Sequence, residues 1–187
     1  MNGNPALATA YDSLLLVIDP QEKLVMVNMI RDCERVIGNI SMLLRFAFIF
    51  DLPVLLTEHY PERLGYCMEE VRWFLPAYQP MRKHIFSCFG IPEISRVLSE
   101  MGRNLLLVTG IETHICVTQT VLDAPHNGYR VMVAADAVGT RKPLDHEVAL
   151  VRMRQLGAAV SISEAMMYEV AERDDTEEFK RLLELVK

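Results

Sequence analysis

The sequence predicts an α/β protein: a three-layer α/β/α sandwich around a six-stranded, mainly parallel sheet. Three observations carry this. Short Leu/Val/Ile runs recur along the chain, each closed by a turn signal. Segments with apolar residues at helical spacing alternate with those runs, and strands alternating with helices imply parallel strands joined by crossover helices. At 187 residues the chain suffices for one domain with a full core and is short for two. The expected organisation is a single domain over 1–187, with the small and polar residues of 1–12 as a mobile lead-in.

Ser13–Ile18 is the first strand. It is apolar after its first residue, as a strand buried on both faces must be. Pro20 disfavours a helical Asp19, which ends the strand there. From Val36, the positions Val36, Ile37, Ile40, Leu43, Leu44, Ala47 and Phe48 form one helical face. Pro53–Thr57 is the second strand, with 58–61 as its exit loop. The least regular part is 61–80, which holds Trp73, Phe74, Tyr78 and three prolines; its 67–75 stretch is partly helical, and the whole is a candidate lid or wall.

Met81–Ser87 is the third strand. Ile91–Met101 is a helix with Pro92 in its first turn. Leu105–Val108 is the fourth strand, and Thr109-Gly110 ends it. His114–Asn127 is the next helix, stopped by Gly128. Tyr129–Ala135, a helix over Pro143–Leu156 and a sixth strand at Ala158–Ile162 follow. The chain finishes with a helix from about Ser163 and a terminal one through Phe179, Leu182, Leu183 and Val186, which Asp174, Asp175 and Thr176 introduce.

Composition narrows the function classes. A net charge of −6 disfavours a nucleic-acid surface. The apolar runs fall short of the roughly 20 residues of a membrane span, and the N-terminal residues do not read as a secretory signal. Cys33, Cys67, Cys88 and Cys116 lack zinc-type spacing, so reduced thiols in a cytoplasmic protein are expected, with no metal and no cofactor. No dinucleotide, Walker or GxSxG motif occurs in the sequence.

Right-handed crossovers bring every strand's carboxyl end to one side, where open parallel sheets bind ligands. Asp19, the loop at 57–59 and the turn at 110–116 share that side. Cys116 falls in the first turn of a helix, where unpaired N–H groups favour a thiolate, so its thiol is expected to ionise more easily than a free one. Lys83 is either an exposed edge residue or a cation aimed at the same cleft. A Cys/His pair with His114, His126 or His146 is conceivable; Asp19, Lys83 and Cys116 form the more economical set. In that set Cys116 is the nucleophile, Asp19 the general base and then acid, and Lys83 the cation between them. Backbone N–H groups of the turn at 111–116 are positioned for an oxyanion. Glu58, Tyr60, Trp73 and Phe86 are candidates to line a substrate pocket.

Asp19 after an apolar strand, Lys83 on a later strand and Gly110-Ile111-Glu112-Thr113-His114-Ile115-Cys116-Val117 together resemble the isochorismatase-like cysteine hydrolases, over about residues 13–171. Asp19-Pro20-Gln21-Glu22-Lys23, Thr57-Glu58-His59-Tyr60-Pro61, Leu122-Asp123 and residues 149–157 are most like the isochorismatase domain-containing branch. The resemblance implies an Asp19-Lys83-Cys116 triad, a cis peptide at Ile111–Glu112 and a homo-oligomer. Nicotinamidases of this family carry an Asp and histidines as a metal site after the second strand, where this chain has Thr57-Glu58-His59-Tyr60. Isochorismatases proper lack the cysteine. The expectation is therefore hydrolysis of a non-peptide C–N bond in a small amide, imide or ester-like molecule. The competing readings are a catalytically silent binding or scaffolding protein, and a redox-sensing thiol with Cys88 as partner.

Overall fold

The computed structural model describes residues 7–27, 30–75 and 77–187. Six strands form one parallel sheet: β1 (Ser13–Ile18), β2 (Val54–His59), β3 (Met81–Lys83), β4 (Leu105–Ile111), β5 (Arg130–Gly139) and β6 (Ala159–Ser161), in spatial order β3-β2-β1-β4-β5-β6. The strand order reverses at β1, so the crevice between the carboxyl ends of β1 and β4 is the switch point at which such sheets bind ligands.

The helices are α1 (Cys33–Ile49), α2 (Pro61–Leu64), α3 (Glu69–Arg72), α4 (Pro92–Glu100), α5 (Thr118–Asp123), α6 (Pro143–Gln155), α7 (Ser163–Ala171) and α8 (Glu177–Leu185). The core divides into two layers. Leu15, Val17, Leu105 and Leu107 pack with α1, α7 and α8 on one face of the sheet. Leu14, Leu16, Ile18, Leu106 and Val108 pack with α4, α5 and α6 on the other. Successive strand residues point to opposite faces, which is why β1 and β4 must be apolar throughout.

Several boundaries move for physical reasons. β3 stops at Lys83 rather than Ser87, because the Ile85 and Phe86 carbonyls turn away from the sheet to accept from the Lys83 ammonium. β2 runs on to His59, paired with Lys83 across β3. The helix expected over 114–127 is three pieces: a π-helical turn at Thr113–Val117, α5, and a 3₁₀ turn at Pro125–Asn127 begun by a proline that has no N–H to donate. Within 67–75 only Glu69–Arg72 is α-helical. β5 continues through Asp136 and Ala137 to Gly139, across a register shift against β4 between Val108 and Gly110. Of the expected lead-in, residues 1–6 lie outside the described residues. Residues 7–12 are anchored: the Ala8 N–H donates to Glu169, Thr9 N–H to Asp12, and Asp12 pairs with Arg130.

Candidate active site

Gly110 sets the approach of β4 to β1. It has φ +127°, and a Cβ there would lie 2.0 Å from the Ile18 carbonyl oxygen. Only glycine permits this approach, and it draws the turn after β4 against the residue that follows Ile18.

That residue is Asp19, itself at φ +48°, in the left-handed region that Asp tolerates better than most side chains. Its N–H donates to the Thr57 carbonyl at 3.1 Å. The carboxylate is fully buried: the Thr57 hydroxyl donates to Oδ1 at 2.8 Å, and Lys83 Nζ lies 2.6 Å from Oδ2. Lys83, also buried, spends its other donors on the carbonyls of Phe86 (3.0 Å) and Ile85 (3.4 Å). It is therefore the inward cation of the two readings, not an exposed edge residue. Burial works against its ammonium, but the opposing effects, led by the Asp19 carboxylate, outweigh this and hold its pKa above the ordinary value.

Cys116 is the fourth residue of the π-helical turn and is 5 % exposed. Its sulfur, an Asp19 carboxylate oxygen and a His59 ring nitrogen all lie within 4.8 Å of one another. The expected easy ionisation does not hold. Burial, then the Asp19 carboxylate, pushes the thiol well above its ordinary value, and Lys83 only partly offsets them. A five-residue turn supplies far less dipole than a full helix, and a carboxylate within 4.8 Å dominates it. The resting set is thus a thiol beside an ion pair. Cys88, buried behind it, is pushed up to about 11 by its burial and then by Asp19; all four cysteines are free thiols.

The turn is anchored from behind. The Ile111–Glu112 peptide is cis. The Glu112 carboxylate accepts from Arg141 Nε at 2.9 Å and from the Thr140 hydroxyl at 3.2 Å, so Ile111 and Glu112 offer the cleft backbone rather than side chain. The Thr118 hydroxyl donates to Thr113 O at 2.6 Å. His114 Nδ1 bonds Thr140, His146 Nδ1 bonds Thr113, and His126 is exposed on the 3₁₀ turn. None of the three serves as partner to the thiol.

The histidine beside Cys116 is His59, which the sequence places only within Thr57-Glu58-His59-Tyr60 at the end of the second strand. Its position two residues after Thr57 on β2 puts both on one face of the sheet, and that spacing was the available signal. The ring stacks on Phe86 (centroids 5.5 Å apart) and meets Tyr60 edge-on at 5.3 Å. Its pKa is lowered by burial and then by Lys83. Gln21, fully buried and not picked out from sequence, holds the His59 backbone: its side chain accepts from His59 N–H at 2.6 Å and donates to His59 O at 3.0 Å. Tyr60 and Phe86 therefore stand at the cleft. Two other pocket candidates do not. Glu58 points to the opposite face of β2, where it accepts from the Cys67 N–H at 2.7 Å and from the Tyr78 hydroxyl. Trp73 is 79 % exposed in a groove with Phe48, Phe74 and Arg181, between α1 and α8. Alternation along β2 explains the first; the short α3, which aims Trp73 away from the sheet end, explains the second.

Asp19, His59 and Cys116 are one donor set that could surround a metal ion. An ion there would have to displace the Lys83 ammonium from Asp19 and take the proton of a thiol held protonated. Those residues are better matched to moving a proton than to ligating a cation. No helix among the described residues is long and apolar enough to cross a membrane.

Residues 13–165 match the Isochorismatase domain family. Isochorismatase domain-containing protein 2A of Mus musculus is 34 % identical over 178 residues, 94 % of this chain and 82 % of the mouse protein. The secreted isochorismatase effector Isc1 of Phytophthora sojae (strain P6497) is 34 % identical over 182 residues, 95 % of this chain and 85 % of that protein. A solved structure described as the MAR1 ribonuclease of Caenorhabditis elegans superposes with a TM-score of 0.89 at 32 % identity, covering 97 % of this chain and 92 % of that one. A buried Asp–Lys pair and a thiol at the switch point of a parallel sheet, together with these likenesses, place the chain in the isochorismatase family.

Proposed function

We propose that the protein is a cysteine hydrolase of a small amide, imide or ester-like substrate, cleaving a non-peptide C–N bond in the amide case. The observation that supports this most is the Asp19 carboxylate, buried beside both the Lys83 ammonium and the Cys116 thiol. A thiol held above its ordinary value needs a base at the moment of attack, and the Asp19 carboxylate, which hydrogen-bonds the thiol, is an anion placed to serve. In the first half-reaction Asp19 takes the Cys116 proton as sulfur bonds to the carbonyl carbon. The C–N bond then breaks, the Asp19 proton passes to the departing nitrogen, and an acyl-thioester remains. In the second half a water gives its proton to Asp19 and adds to the thioester carbon. The C–S bond breaks, the proton returns to sulfur, and the acid leaves. Backbone N–H groups of the turn at 111–116 are the donors suited to the oxyanion, a contribution of about 3–4 kcal/mol per donor in measured cases. Lys83 offsets the charge of Asp19 and fixes its position. Phe86, Tyr60 and the uncharged His59 ring offer an aromatic wall suited to a compact planar substrate.

The nematode relative's description names RNA chemistry, but the net charge of −6 favours a small molecule over a polyanion. Four free thiols fit a reducing cytoplasmic setting, although one relative is described as secreted, so the compartment is part of the proposal. A homo-oligomer is also part of it. The test is a panel of small amides, imides and esters, with RNA as a comparison, assayed with wild type and Cys116→Ser. Turnover on at least one small substrate, a loss of at least about 10²-fold in the serine variant and an acylated Cys116 in the intact mass are expected. Turnover that ignores the serine substitution overturns the mechanism. Tight binding without acylation or turnover supports the scaffolding reading instead, and a Cys116–Cys88 disulfide under mild peroxide supports the redox one.

A further inference from the structure

The outer face of α6 is left open by the fold. Leu144, Val148 and Val151 are 68 %, 58 % and 48 % exposed, while Ala149 and Met153 on the opposite side are buried in the core. The exposed three recur at i, i+4 and i+7, one line along a helix. α6 therefore has two apolar faces, and only one is covered by the described residues. Single exposed apolar side chains are ordinary, but a continuous stripe marks a contact surface.

The charges beside the stripe say what covers it. Asp145 and Arg152 lie along one flank, and Glu147 and Arg154 along the other; each pair is seven residues, or about 10.5 Å, apart. That is too far to pair within the helix. Among the described residues Glu147, Arg152 and Arg154 form no ion pair within the chain, and Asp145 has only His114, at 3.9 Å. On both flanks the acid is in the first half of α6 and the base in the second. A second α6 laid parallel would set like charges against like. One laid antiparallel about a two-fold axis near residues 149–150 sets Asp145 against the partner copy's base on one flank and Glu147 on the other, with Val148 and Val151 at the centre. A two-fold contact uses the same patch on both copies, so the patch must be complementary to itself.

We infer that the outer face of α6 is a self-association surface, and that its occupant is the antiparallel α6 of a second copy of this chain. The inference rests on the homo-oligomer reading and is independent of the hydrolase chemistry. Because α6 also holds the nucleophile turn through the His146–Thr113 hydrogen bond at 3.1 Å, the contact braces the element that carries Cys116.

Sedimentation equilibrium from low to high micromolar concentration tests it, with thermal melts to confirm that each variant folds. Wild type is expected at twice the chain mass or a higher multiple. Val148→Asp at the centre, and Glu147→Arg, which sets two like-charge contacts per two-fold pair, should each weaken association by about tenfold or more. Glu147→Arg combined with Arg154→Glu should restore it, since the swap returns unlike charges to the same contact. Failure of the double variant to restore association overturns the antiparallel register. An oligomer indifferent to all three variants overturns this surface and leaves the homo-oligomer standing. A wild-type monomer throughout, including one that captures only unrelated partners, overturns both.

Discussion

Replacing Asp19 by asparagine separates the base from the geometry that holds it. The asparagine carbonyl can still accept from Thr57, and Lys83 keeps the Phe86 and Ile85 carbonyls, but the negative charge is gone. With an Asp19 oxygen within 4.8 Å of the Cys116 sulfur and an effective dielectric constant of about 20, that charge raises the cost of a thiolate by about 3.5 kcal/mol, or roughly 2.5 pH units. Asp19→Asn should therefore lower the pH midpoint for Cys116 alkylation by on the order of two units while abolishing turnover. The thiolate becomes easier to form, yet no group remains to carry its proton to the leaving group. The assay is the rate of iodoacetamide labelling against pH, read at the Cys116 peptide so that Cys33, Cys67 and Cys88 do not interfere. Loss of the buried pair should cost about 3–5 kcal/mol of stability, so a denaturant melt must first show a folded variant. A midpoint that stays or rises, or turnover that survives, would refute the reasoning.

Gly110→Ala should prevent folding or cost more than about 4 kcal/mol, because its Cβ falls 2.0 Å from the Ile18 carbonyl at a φ that alanine avoids; soluble yield and melting report it, and a near-neutral result contradicts the described approach of β4 to β1. Tyr78→Phe removes a hydroxyl donor from the buried Glu58 and should cost about 1–3 kcal/mol in urea melts. It should leave kcat and KM on any substrate unchanged, whereas a raised KM would return Glu58 to the pocket. Stability should fall on acidification through the histidine range. His59 is lowered by burial and then Lys83, and His146 by burial and then Arg35. Below the ordinary pKa of about 6.5 the unfolded chain takes up protons that these folded sites resist, so stability rises with pH from their folded values to that point. Thermal melts between pH 5 and pH 8 check the sign, and His146→Gln should flatten the slope.

Much of this molecule was legible from residue pattern, and the rest was not for reasons that can be named. The runs at Ser13–Ile18 and Leu105–Val108 have to be strands of a parallel sheet because both of their faces are apolar. Helical spacing in α1 and the Thr176 cap of α8, which accepts from Phe179 N–H at 3.1 Å, are local signals of the same kind. Asp19, Lys83 and Cys116 could be gathered because strand ends, crossover handedness and the family resemblance all act on backbone position. Side-chain direction at the cleft is a different matter. Glu58 and His59 are neighbours in the chain, and only the pleat of β2 decides that His59 faces the thiol while Glu58 turns to Tyr78. Gln21 has no sequence signal, since its two bonds to His59 span 38 residues. The thiol's protonation does not follow from the helix start alone, because a pKa depends on every charge and on the depth of burial around the sulfur. Which segments are buried, and in what order they alternate, follows from residue pattern, since periodicity encodes burial. Which polar atoms meet follows from the folded chain, because hydrogen bonds and charges act over a few ångströms between residues the chain holds far apart.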